Sequence, residues 1–553
     1  MPTNEVYTPK NKVRIVTAAS LFDGHDAAIN IMRRIIQSTG CEVIHLGHDR
    51  SVEEVVNCAI QEDAQAIAMT SYQGGHMEYF KYMFDLLKEK GAGHIQIFGG
   101  GGGTILPAEI QELHGYGISR IYHPDDGRAM GLQGMINDLV QRCDFPTGNT
   151  LDGEASRLRV NDHQAIARLI SGAENFPDQH AKELAAIREK AASSRIPVLG
   201  ITGTGGAGKS SMVDELVRRF LLDFPEKTIG IISVDPSKRK TGGALLGDRI
   251  RMNAIRNPRV YMRSLATRQS NLALSKHVSE AVDILKVAGF DLIILETSGI
   301  GQSDTEITDH SDVSLYLMTP EFGAASELEK IDMLDFADVV AINKFDKRGA
   351  LDALRDVRKQ YKRNHQLWDA DDETLPVVGT IASQFNDPGT NKLYAILMDT
   401  LVRKAGAALT SRHAASGEMS EKVYIIPPHR TRYLSEISEN NRSYNTWAHE
   451  QSDIADKLYG IQTAISTLET SDESKGKADR DLALTALRAS FDRIRMNLDP
   501  HHWEVIQTWE QKRQLYKDPE YIFRVREKEI RVQTHTESLS HSLVPKVATP
   551  SYR

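Results

Sequence analysis

The chain has 553 residues, of which 40% are hydrophobic and 26% charged, and its formal net charge is −8. This length predicts roughly three domains, each large enough for its own core. The negative charge argues against a general surface for nucleic acid or anionic membranes, and no apolar run is long enough to span a bilayer. Cys41, Cys58 and Cys143 form no CxxC pair or zinc spacing, and the start of the chain lacks a signal pattern, so we expect reduced thiols in the cytoplasm.

The first 144 residues alternate short apolar runs with helical patterns. Five strands are predicted, at Val13–Ala18, Glu42–Leu46, Ala66–Thr70, Ile95–Phe98 and Ile118–Tyr122. Five βα repeats favour an α/β domain with a parallel, flavodoxin-like sheet in the order 2-1-3-4-5. Strands 1, 3 and 4 are neighbours in that order, so the loops that follow them meet at one edge of the sheet. A ligand is expected at this edge.

These three loops have unusual chemistry. Asp23-Gly24-His25 follows strand 1, Thr70-Ser71 follows strand 3, and strand 4 leads into five glycines, which are Gly99, Gly100, Gly101, Gly102 and Gly103. A neutral imidazole is a good ligand for cobalt, and a carboxylate two residues earlier can accept its other N–H. Taken alone, His25 fits an ordinary polar loop better than a metal ligand. Core packing, however, does not explain five consecutive glycines, so we predict a site for a bulky group that contains a metal.

The chain after residue 144 divides into three regions. Residues 145–195 read as polar helices and are predicted to be a helical linker. A second βα series covers residues 196–409, with strands predicted at Val198–Thr202, Ile229–Val234, Leu292–Glu296, Ser314–Met318, Val339–Ile342 and Val377–Ile381. Residues 410–553 are charged and mostly helical, and they contain no recognisable catalytic motif.

A complete P-loop follows the first strand of the second series and precedes an amphipathic helix. Its residues are Gly203, Thr204, Gly205, Gly206, Ala207, Gly208, Lys209 and Ser210, and Ser211 opens the helix. Glycines at these positions let backbone N–H groups turn toward phosphates at a helix N-terminus. Lys209 is predicted to contact the β- and γ-phosphates, and the Ser210 hydroxyl to bind Mg²⁺.

A second motif predicts which base is bound. Asn343-Lys344-Phe345-Asp346 follows a buried-looking strand. A carboxylate in this position can accept both donors on the edge of guanine, so the motif favours GTP over ATP. Ser383, in the loop after the last predicted strand, is a further candidate for guanine contact.

Three carboxylates are candidate partners of Mg²⁺, which prefers a few carboxylates and water molecules. Asp235 and Glu296 end strands, and Asp248 lies in a loop. Thr297 follows Glu296 and is added to this set. The alternative is that these carboxylates only cap strand ends. Asp248 and Lys209 are the residues predicted to serve GTP hydrolysis.

Two further features lie near the predicted phosphates. Arg249 and Arg251 are expected either to place positive charge near the γ-phosphate or to form a solvated basic face. The segment Gly299–Asp304 is glycine-bearing and polar, and it is predicted to be a switch that senses the γ-phosphate. Through these loops GTP is expected to shift the docking of the two domains.

The first region resembles the cobalamin-binding domain of base-off/His-on mutases. The resemblance is carried by Asp23 and His25, by the hydroxyl of Thr70 and by the glycines after strand 4. It implies that His25 is the lower axial ligand of cobalt, that Asp23 is its partner, and that the nucleotide tail of the cofactor enters a groove beside the glycines. Thr70 stands where the family usually has Ser, Tyr72 where it often has Leu, and Ala28 where Gly is usual.

The second region resembles the GTPase chaperones of acyl-CoA mutases. The matching stretches are Ser233–Ser237, Gly242–Arg249 and Glu296–Ser303, with Glu296 where most small GTPases have Asp. A cobalamin domain followed by a GTPase and a helical region is similar to the fused isobutyryl-CoA mutase family. This implies adenosylcobalamin, Mg²⁺ and GTP or GDP as ligands, and a GTPase that gates cofactor loading during isomerisation of isobutyryl-CoA and n-butyryl-CoA. The family continues into a substrate-binding (β/α)₈ barrel, which this sequence does not reach.

From this resemblance we expect the chain to bind cobalamin and hydrolyse GTP, and to need a barrel domain for mutase turnover. A homodimer or a barrel-bearing partner is expected, and nucleic acid and membrane are not. The alternative is a nucleotide-gated cobalamin sensor or transfer module. A nickel-insertion GTPase would need a His- or Cys-rich store, which the sequence lacks, and corrinoid methyltransferase modules do not usually carry this GTPase.

Overall fold

The computed structural model describes residues 5–268, 274–299, 304–323, 328–412, 432–470, 477–525 and 528–550. The chain divides into two units, Met1–Val423 and Tyr424–Arg553, and each is described by itself. Within the described ranges, no helix is long and apolar enough to cross a membrane. The three cysteines are buried and form no disulfide.

The first sheet of unit one begins with five parallel strands. They are β1 (Arg14–Ser20), β2 (Glu42–Arg50), β3 (Ala66–Thr70), β4 (Gln96–Gly100) and β5 (Arg120–Tyr122), and they alternate with α1 (Asp26–Ser38), α2 (Val52–Gln61), α3 (His76–Glu89), α4 (Pro107–Tyr116) and α5 (Pro124–Cys143). Their spatial order is β5-β4-β3-β1-β2. The predicted order 2-1-3-4-5 is confirmed. Every residue of β1 is buried because helices cover both faces of the sheet.

Three helices connect the first sheet to the second. They are α6 (Glu154–Arg157), α7 (His163–Asn175) and α8 (Ala181–Ala192). Ile166, Leu169 and Ile170 of α7 are buried in the same core cluster as residues of the second sheet. This stretch therefore packs as part of unit one and is not a loose tether.

The second sheet contains seven parallel strands in the order β13-β12-β11-β6-β10-β7-β9. Its elements, with β8 numbered in chain order, are β6 (Val198–Gly203), α9 (Lys209–Asp223), β7 (Ile229–Asp235), β8 (Ala244–Leu246), β9 (Val260–Ala266), α10 (Val278–Ala288), β10 (Leu292–Glu296), β11 (Val313–Met318), α11 (Met333–Phe336), β12 (Val339–Asn343), α12 (Ala350–Asn364), β13 (Val377–Thr380) and α13 (Pro388–Ala405). Six of its strands were predicted. The seventh, β9, was missed because Arg263 and Ser264 interrupt its apolar run.

Strand β8 follows β7 of the second sheet along the chain, but it pairs in parallel with β2 of the first sheet. Ala244 and Leu246 are buried in the core cluster that includes Ile44 and Val55. Leu245, on the opposite face, packs against the cluster that includes Ile36. The second α/β region thus contributes one strand to the sheet of the first, and this strand was not predicted.

A buried cluster of ionised side chains also joins the two regions. Arg14 of β1 donates to Glu42 at 2.7 Å and to Glu62 at 2.8 Å. Glu62 accepts from Arg249 at 2.8 Å, and its carboxylate is fully buried. Further pairs in the cluster join Arg263 to Glu174 at 2.8 Å and Arg268 to Glu42 at 2.8 Å. Buried charges are stable only when paired and hydrogen-bonded, so this cluster fixes the relative position of the first sheet, α7 and β9.

The described residues of unit two form three long helices followed by two short hairpins. Its elements are α14 (Tyr433–Thr470), α15 (Lys477–Arg495), α16 (Pro500–Lys517), β14 (Glu520–Val525), β15 (Lys528–Gln533), β16 (His535–Glu537) and β17 (Leu543–Pro545). The hairpins pair β14 with β15 and β16 with β17, both antiparallel. The predicted helical character is confirmed for the described residues 433–470, 477–495 and 500–517, and the hairpins were not predicted.

Candidate functional site

The first candidate site lies where β1 leads into α1. Asp23 is 2% exposed, and its Oδ1 accepts from the backbone N–H of His25 at 2.9 Å and lies 2.8 Å from the ring Nδ1. Its Oδ2 accepts from the backbone N–H of Tyr72 at 2.7 Å. Burial by itself raises the pKa of Asp23, but the hydrogen bonds from Tyr72 and His25 outweigh it and hold the pKa below its ordinary value. The ionised carboxylate therefore orients the imidazole through Nδ1 and leaves Nε2 for a ligand.

The imidazole of His25 is presented to solvent, because 75% of its side chain is exposed. The ring of Tyr72 flanks it, with the two ring centroids 5.4 Å apart. Tyr72 is one of the departures from the resembled family, and here its side chain borders the imidazole. Ser71 is buried and accepts a hydrogen bond from Ser20 at 3.0 Å.

A cavity of about 260 Å³ opens beside this imidazole, between α1, α5 and the ends of β3 and β4. Its lining is mostly apolar and includes Ala28, Ile29, Thr70, Tyr72, Phe98, Gly99, Gly100, Gly101, Gly102, Tyr122, Leu132 and Met135. The Oγ1 atom of Thr70 is buried and has no hydrogen-bond partner among the described residues. The cavity therefore offers a bound group an apolar slot and the buried hydroxyl of Thr70.

The glycine run has two distinct roles. A Cβ at Gly101 would lie 2.0 Å from the carbonyl oxygen of Ser71, and one at Gly99 would lie 2.4 Å from the ring of Phe80. These two glycines are needed for packing of the chain itself, so core packing explains part of the run after all. Gly102 has a φ of +59°, and Gly103 has open space where a Cβ would lie. Gly99 to Gly102 line the cavity.

The second candidate site is the turn between β6 and α9. Gly208 precedes the helix with a φ of +93°, and a Cβ there would lie 2.5 Å from the side-chain nitrogen of Asn343. Lys209 Nζ donates to the carbonyl of Gly203 at 3.0 Å. A cavity of about 420 Å³ covers this turn and is lined by Gly205, Gly206, Gly208, Lys209, Ser210, Ser211, Val234, Asp235, Asp248, Arg251, Glu296, Thr297, Ser298 and Lys344. The sequence-predicted P-loop therefore faces the predicted carboxylates across one cavity.

The predicted guanine motif is tied to the P-loop through Asn343. Its amide donates to the carbonyl of Ala207 at 2.7 Å and accepts from the backbone N–H of Ala382 at 3.0 Å. Lys344 has a φ of +58° and lines the cavity. Asp346 and Ser383 are exposed and lie outside the lining of this cavity. Asn343 is thus a bridge between loops, with its side chain turned to protein groups.

Two buried carboxylates contact Ser210, and a third, the half-buried Asp235, lines the same cavity. The Ser210 hydroxyl donates to Asp248 at 2.7 Å and lies 3.1 Å from Glu296. Asp235 accepts from the backbone N–H of Gly247 at 3.1 Å. Burial and the charge of Asp248 raise the pKa of Asp235 to about 7, and the same two causes raise the pKa of Glu296 well above its ordinary value. A cation at this point would relieve the repulsion between the carboxylates.

The carboxylates do not form a complete metal cage. The ranges that the structure describes contain no group of three or more His, Cys, Asp and Glu side chains positioned to hold a metal ion. This fits Mg²⁺, which keeps several water molecules and is held by one or two carboxylates together with phosphate oxygens. Thr297 hydrogen-bonds Thr202 at 2.8 Å and also lines the cavity.

Arg249 and Arg251 point in different directions and contact different parts of the molecule. Arg251 donates to Ser210 at 3.1 Å and to Asp248, so its guanidinium lies among the candidate Mg²⁺ partners. Arg249 points the other way and is buried against Glu62 and Gln61 of the first region. Both interpretations offered for Arg249 in the sequence analysis were wrong, because it is neither near the phosphate cavity nor solvated. Of the predicted switch, residues 300–303 lie outside the described residues.

One polar residue at the nucleotide site was missed in the sequence. Ser233 is buried on β7, and its hydroxyl donates to Asp248 and lies 3.4 Å from Glu296. A serine two residues before a strand-end carboxylate points to the same face of the strand, which is the signal that was available. The partners of Arg249 gave no such signal because they lie almost 190 residues away in the chain.

Comparisons with known proteins agree with this division of the chain. The B12 binding domain family matches residues 13–127, and the methylmalonyl Co-A mutase-associated GTPase MeaB family matches residues 166–423. The chain is 54% identical over 555 residues to a fused isobutyryl-CoA mutase of Geobacillus kaustophilus, covering 99% of this chain and 50% of that protein. A fused isobutyryl-CoA mutase of Cupriavidus metallidurans is 50% identical over 98% of this chain and 49% of its own length.

A smaller relative matches the second region alone. A putative GTPase of Pyrococcus horikoshii is 32% identical over 42% of this chain and 73% of its own length. By contrast, the chain spans about half the length of the two mutases that it matches.

Proposed function

Because this chain belongs to the fused isobutyryl-CoA mutase family, we propose that it is the cofactor-binding and GTP-hydrolysing part of an adenosylcobalamin-dependent acyl-CoA mutase. Residues 1–144 are assigned to cobalamin binding, 145–195 to the helical linker, 196–409 to the GTPase and 410–553 to a helical region. The single observation that carries the proposal is the oriented, exposed imidazole of His25 in the same folded unit as a P-loop cavity.

The first site suits cobalamin in three respects. His25 offers Nε2 to cobalt while Asp23 holds Nδ1. The apolar cavity beside it offers a slot for the nucleotide tail, and Thr70 has a buried hydroxyl that needs a partner. Leu132 and Met135 add apolar side chains to the lining of that slot. When bound, the cofactor supplies the radical chemistry of carbon-skeleton rearrangement.

The second site suits a guanine nucleotide with Mg²⁺. Gly205, Gly206, Gly208, Lys209 and Ser210 line the cavity at the N-terminus of a 15-residue helix, where anions are stabilised. Lys209 would move from the carbonyl of Gly203 to the phosphates. Ser210, Asp235, Asp248 and Glu296 surround the position proposed for Mg²⁺, and Asp346 is proposed to read guanine. Hydrolysis is proposed to depend on Lys209 and on Asp248.

Isomerisation of isobutyryl-CoA is proposed for the complete mutase and not for the described residues alone. No eight-stranded barrel occurs within the ranges described by the structure. A barrel domain, on this or another chain, and a second copy in a homodimer are therefore the proposed partners. A cytoplasmic location is proposed because three buried, unpaired thiols suit a reducing compartment.

The proposal is tested by titrating the purified chain with adenosylcobalamin while recording its absorption spectrum, and by measuring GTP hydrolysis in the same preparation. We expect the spectrum of His-ligated cobalamin and release of phosphate from GTP. Adding a separately produced barrel domain is expected to restore mutase turnover. Corrinoid binding and GTP hydrolysis with no turnover under any such addition would favour the sensor or transfer module instead. Absence of corrinoid binding would refute the proposal.

A further inference from the structure

Residues 236–251, called here the coupling segment, connect β7 to the region before β9. Both ends of the segment lie at the proposed Mg²⁺ position. Asp235 precedes it and accepts from the backbone N–H of Gly247 at 3.1 Å. Asp248, within it, accepts from the Ser210 hydroxyl at 2.7 Å. The segment is therefore held at its base by the same carboxylates that a bound cation would rearrange.

The tip of the coupling segment lies against the C-terminal end of α1. It is folded by hydrogen bonds from Lys238 N–H to the Gly243 carbonyl at 2.9 Å and from Gly242 N–H to the Lys238 carbonyl at 2.8 Å. A Cβ at Gly243 would lie 2.0 Å from the carbonyl oxygen of Gln37 and 2.9 Å from that of Cys41. Only glycine allows this approach without displacement of the backbone.

Helix α1 carries the proposed cobalt ligand at its other end. His25 is the residue immediately before the helix, and Gln37 is in its last turn. The helix has 13 residues, which corresponds to a length of about 20 Å. A rigid helix of this kind transmits a shift at one end to the other, so a contact at Gln37 affects the position of His25.

The rest of the coupling segment also rests on the first sheet. Ala244 N–H donates to the Cys41 carbonyl at 3.2 Å, and β8 runs in register with β2. Ile250 packs so closely on β2 that a Cβ at Gly47 would lie 2.8 Å from its Cδ1. Residues that face the first sheet thus alternate with Asp248 and Arg251, which face the nucleotide cavity.

We propose that the coupling segment carries the nucleotide state to the cobalamin site. A cation and γ-phosphate at Asp235 and Asp248 reposition β8, and the tip at Gly243 then shifts α1 and His25. The affinity for the corrinoid changes in consequence, and by linkage the corrinoid changes the affinity for nucleotide by the same factor. This inference rests on the proposed function and names the contact through which gating occurs.

The buried ion cluster argues against the other route, a change in how the two regions dock. Such a change would separate Arg249 from Glu62 and Arg268 from Glu42 inside the protein. Separating a buried pair leaves both charges without a partner inside the protein, which is strongly destabilising. A local shift of β8 and α1 leaves these pairs intact.

The test compares the dissociation constant of adenosylcobalamin in GDP with that in a non-hydrolysable GTP analogue, for the full chain and for Gly243→Ala. The wild-type ratio is expected to reach about five or more, which is the lower end of ordinary allosteric coupling. In Gly243→Ala the added methyl group pushes the tip from α1, and the ratio is expected to fall to within about twofold of one. Lys240→Ala, an exposed change in the same turn, is the matched control and should keep the wild-type ratio.

The outcomes separate this inference from the proposed function. If wild type and Gly243→Ala show the same ratio above one, gating is real but does not pass through this contact, and the inference is wrong. If the wild type has the same dissociation constant for adenosylcobalamin in GDP and in the GTP analogue, gating by nucleotide and this inference are both wrong. Corrinoid binding and GTP hydrolysis, measured in the same samples, test the proposed function separately.

A measurement on the wild type covers the case in which Gly243→Ala does not fold. Hydrogen exchange of peptides from residues 26–41 and 238–246 is followed in GDP and in the GTP analogue. Both sets of amides are expected to change protection together. No change in the peptide from α1, in a sample whose corrinoid affinity responds to nucleotide, would overturn the inference.

Discussion

The two candidate sites differ in how far the protein's own groups already occupy them. At the first, His25 is oriented by one carboxylate and its ring is open to solvent. At the second, Ser210, Asp248 and Arg251 bond to one another inside the cavity. A ligand can add to the first site as it stands, whereas the second must exchange internal contacts for ligand contacts. The second site is therefore the one able to convert ligand binding into movement.

The buried ion cluster that holds the two regions together is tested by Glu62→Gln, for which we expect the largest effect. The change removes the charge that pairs with Arg14 and Arg249, and all three side chains are almost fully buried. We expect a loss of about 3–5 kcal/mol in the free energy of unfolding. Denaturant unfolding measures this, with Glu53→Gln on the exposed face of α2 as the control. A loss equal to that of the control would show that the cluster does not hold the two regions together.

The independence of the two sites is tested by Lys209→Ala. Loss of the ammonium should lower GTP hydrolysis by about 10²–10³-fold, as for removal of one donor to a transferring group. The absorption spectrum of bound corrinoid in the absence of nucleotide should not change. Phosphate release and the spectrum are measured on one sample. An altered spectrum would contradict the separation of the two sites.

The openness of the first site is tested by His25→Ala. Without the imidazole, corrinoid affinity should fall by about 100-fold or more, and the spectrum of the His-ligated form should be lost. GTP hydrolysis without corrinoid should remain. His48→Ala, which changes an exposed histidine of β2, should behave like wild type. Retention of the His-ligated spectrum in His25→Ala would assign the ligand to another residue.

The role of the orienting carboxylate is tested by Asp23→Asn, with a smaller expected effect. The amide has one acceptor oxygen in place of the two that serve His25 and Tyr72, and it loses the charge that stabilises the imidazole, so corrinoid affinity should fall by about 10–100-fold. Titration by absorbance gives the constant. Asp26→Asn, exposed in the first turn of α1, is the control. Equal corrinoid affinities in the two variants would show that Asp23 has no role in binding the corrinoid.

The smallest predicted effect is a pH dependence of protein stability that arises from His163, near Arg249 of the ion cluster. Burial and the charge of Arg249 lower the pKa of His163 to about 4. Between this pH and its ordinary pKa the unfolded chain binds more protons, so stability should fall as pH decreases from about 6.5 to about 4. The contribution is about 1–3 kcal/mol. Thermal unfolding across this pH range should show that His163→Gln loses less stability than the wild type as the pH decreases. The same dependence of stability on pH in both proteins would exclude His163 as its cause.

The sequence predicted local features well and long-range pairing poorly. The strands before Asp23 and Lys209, and the loops that carry them, followed from periodicity and glycine pattern. Strand β8 has three residues, and its partner lies 200 residues earlier, so no local pattern could predict its pairing. Arg249 was misread for the same reason: it follows Asp248, a predicted partner of Mg²⁺, in the sequence, but its own partner Glu62 lies at the end of α2 in the first region.

The contribution of β8 to the first sheet also decides how the chain can be divided. A fragment that ends near residue 144 would leave β2 as an unpaired edge, with the main-chain groups beside Val43 and Ile44 open to solvent. Exposed edges of this kind pair with strands of other molecules. The isolated cobalamin-type domain should consequently self-associate or aggregate, whereas a chain cut after the second sheet should stay monodisperse at that edge.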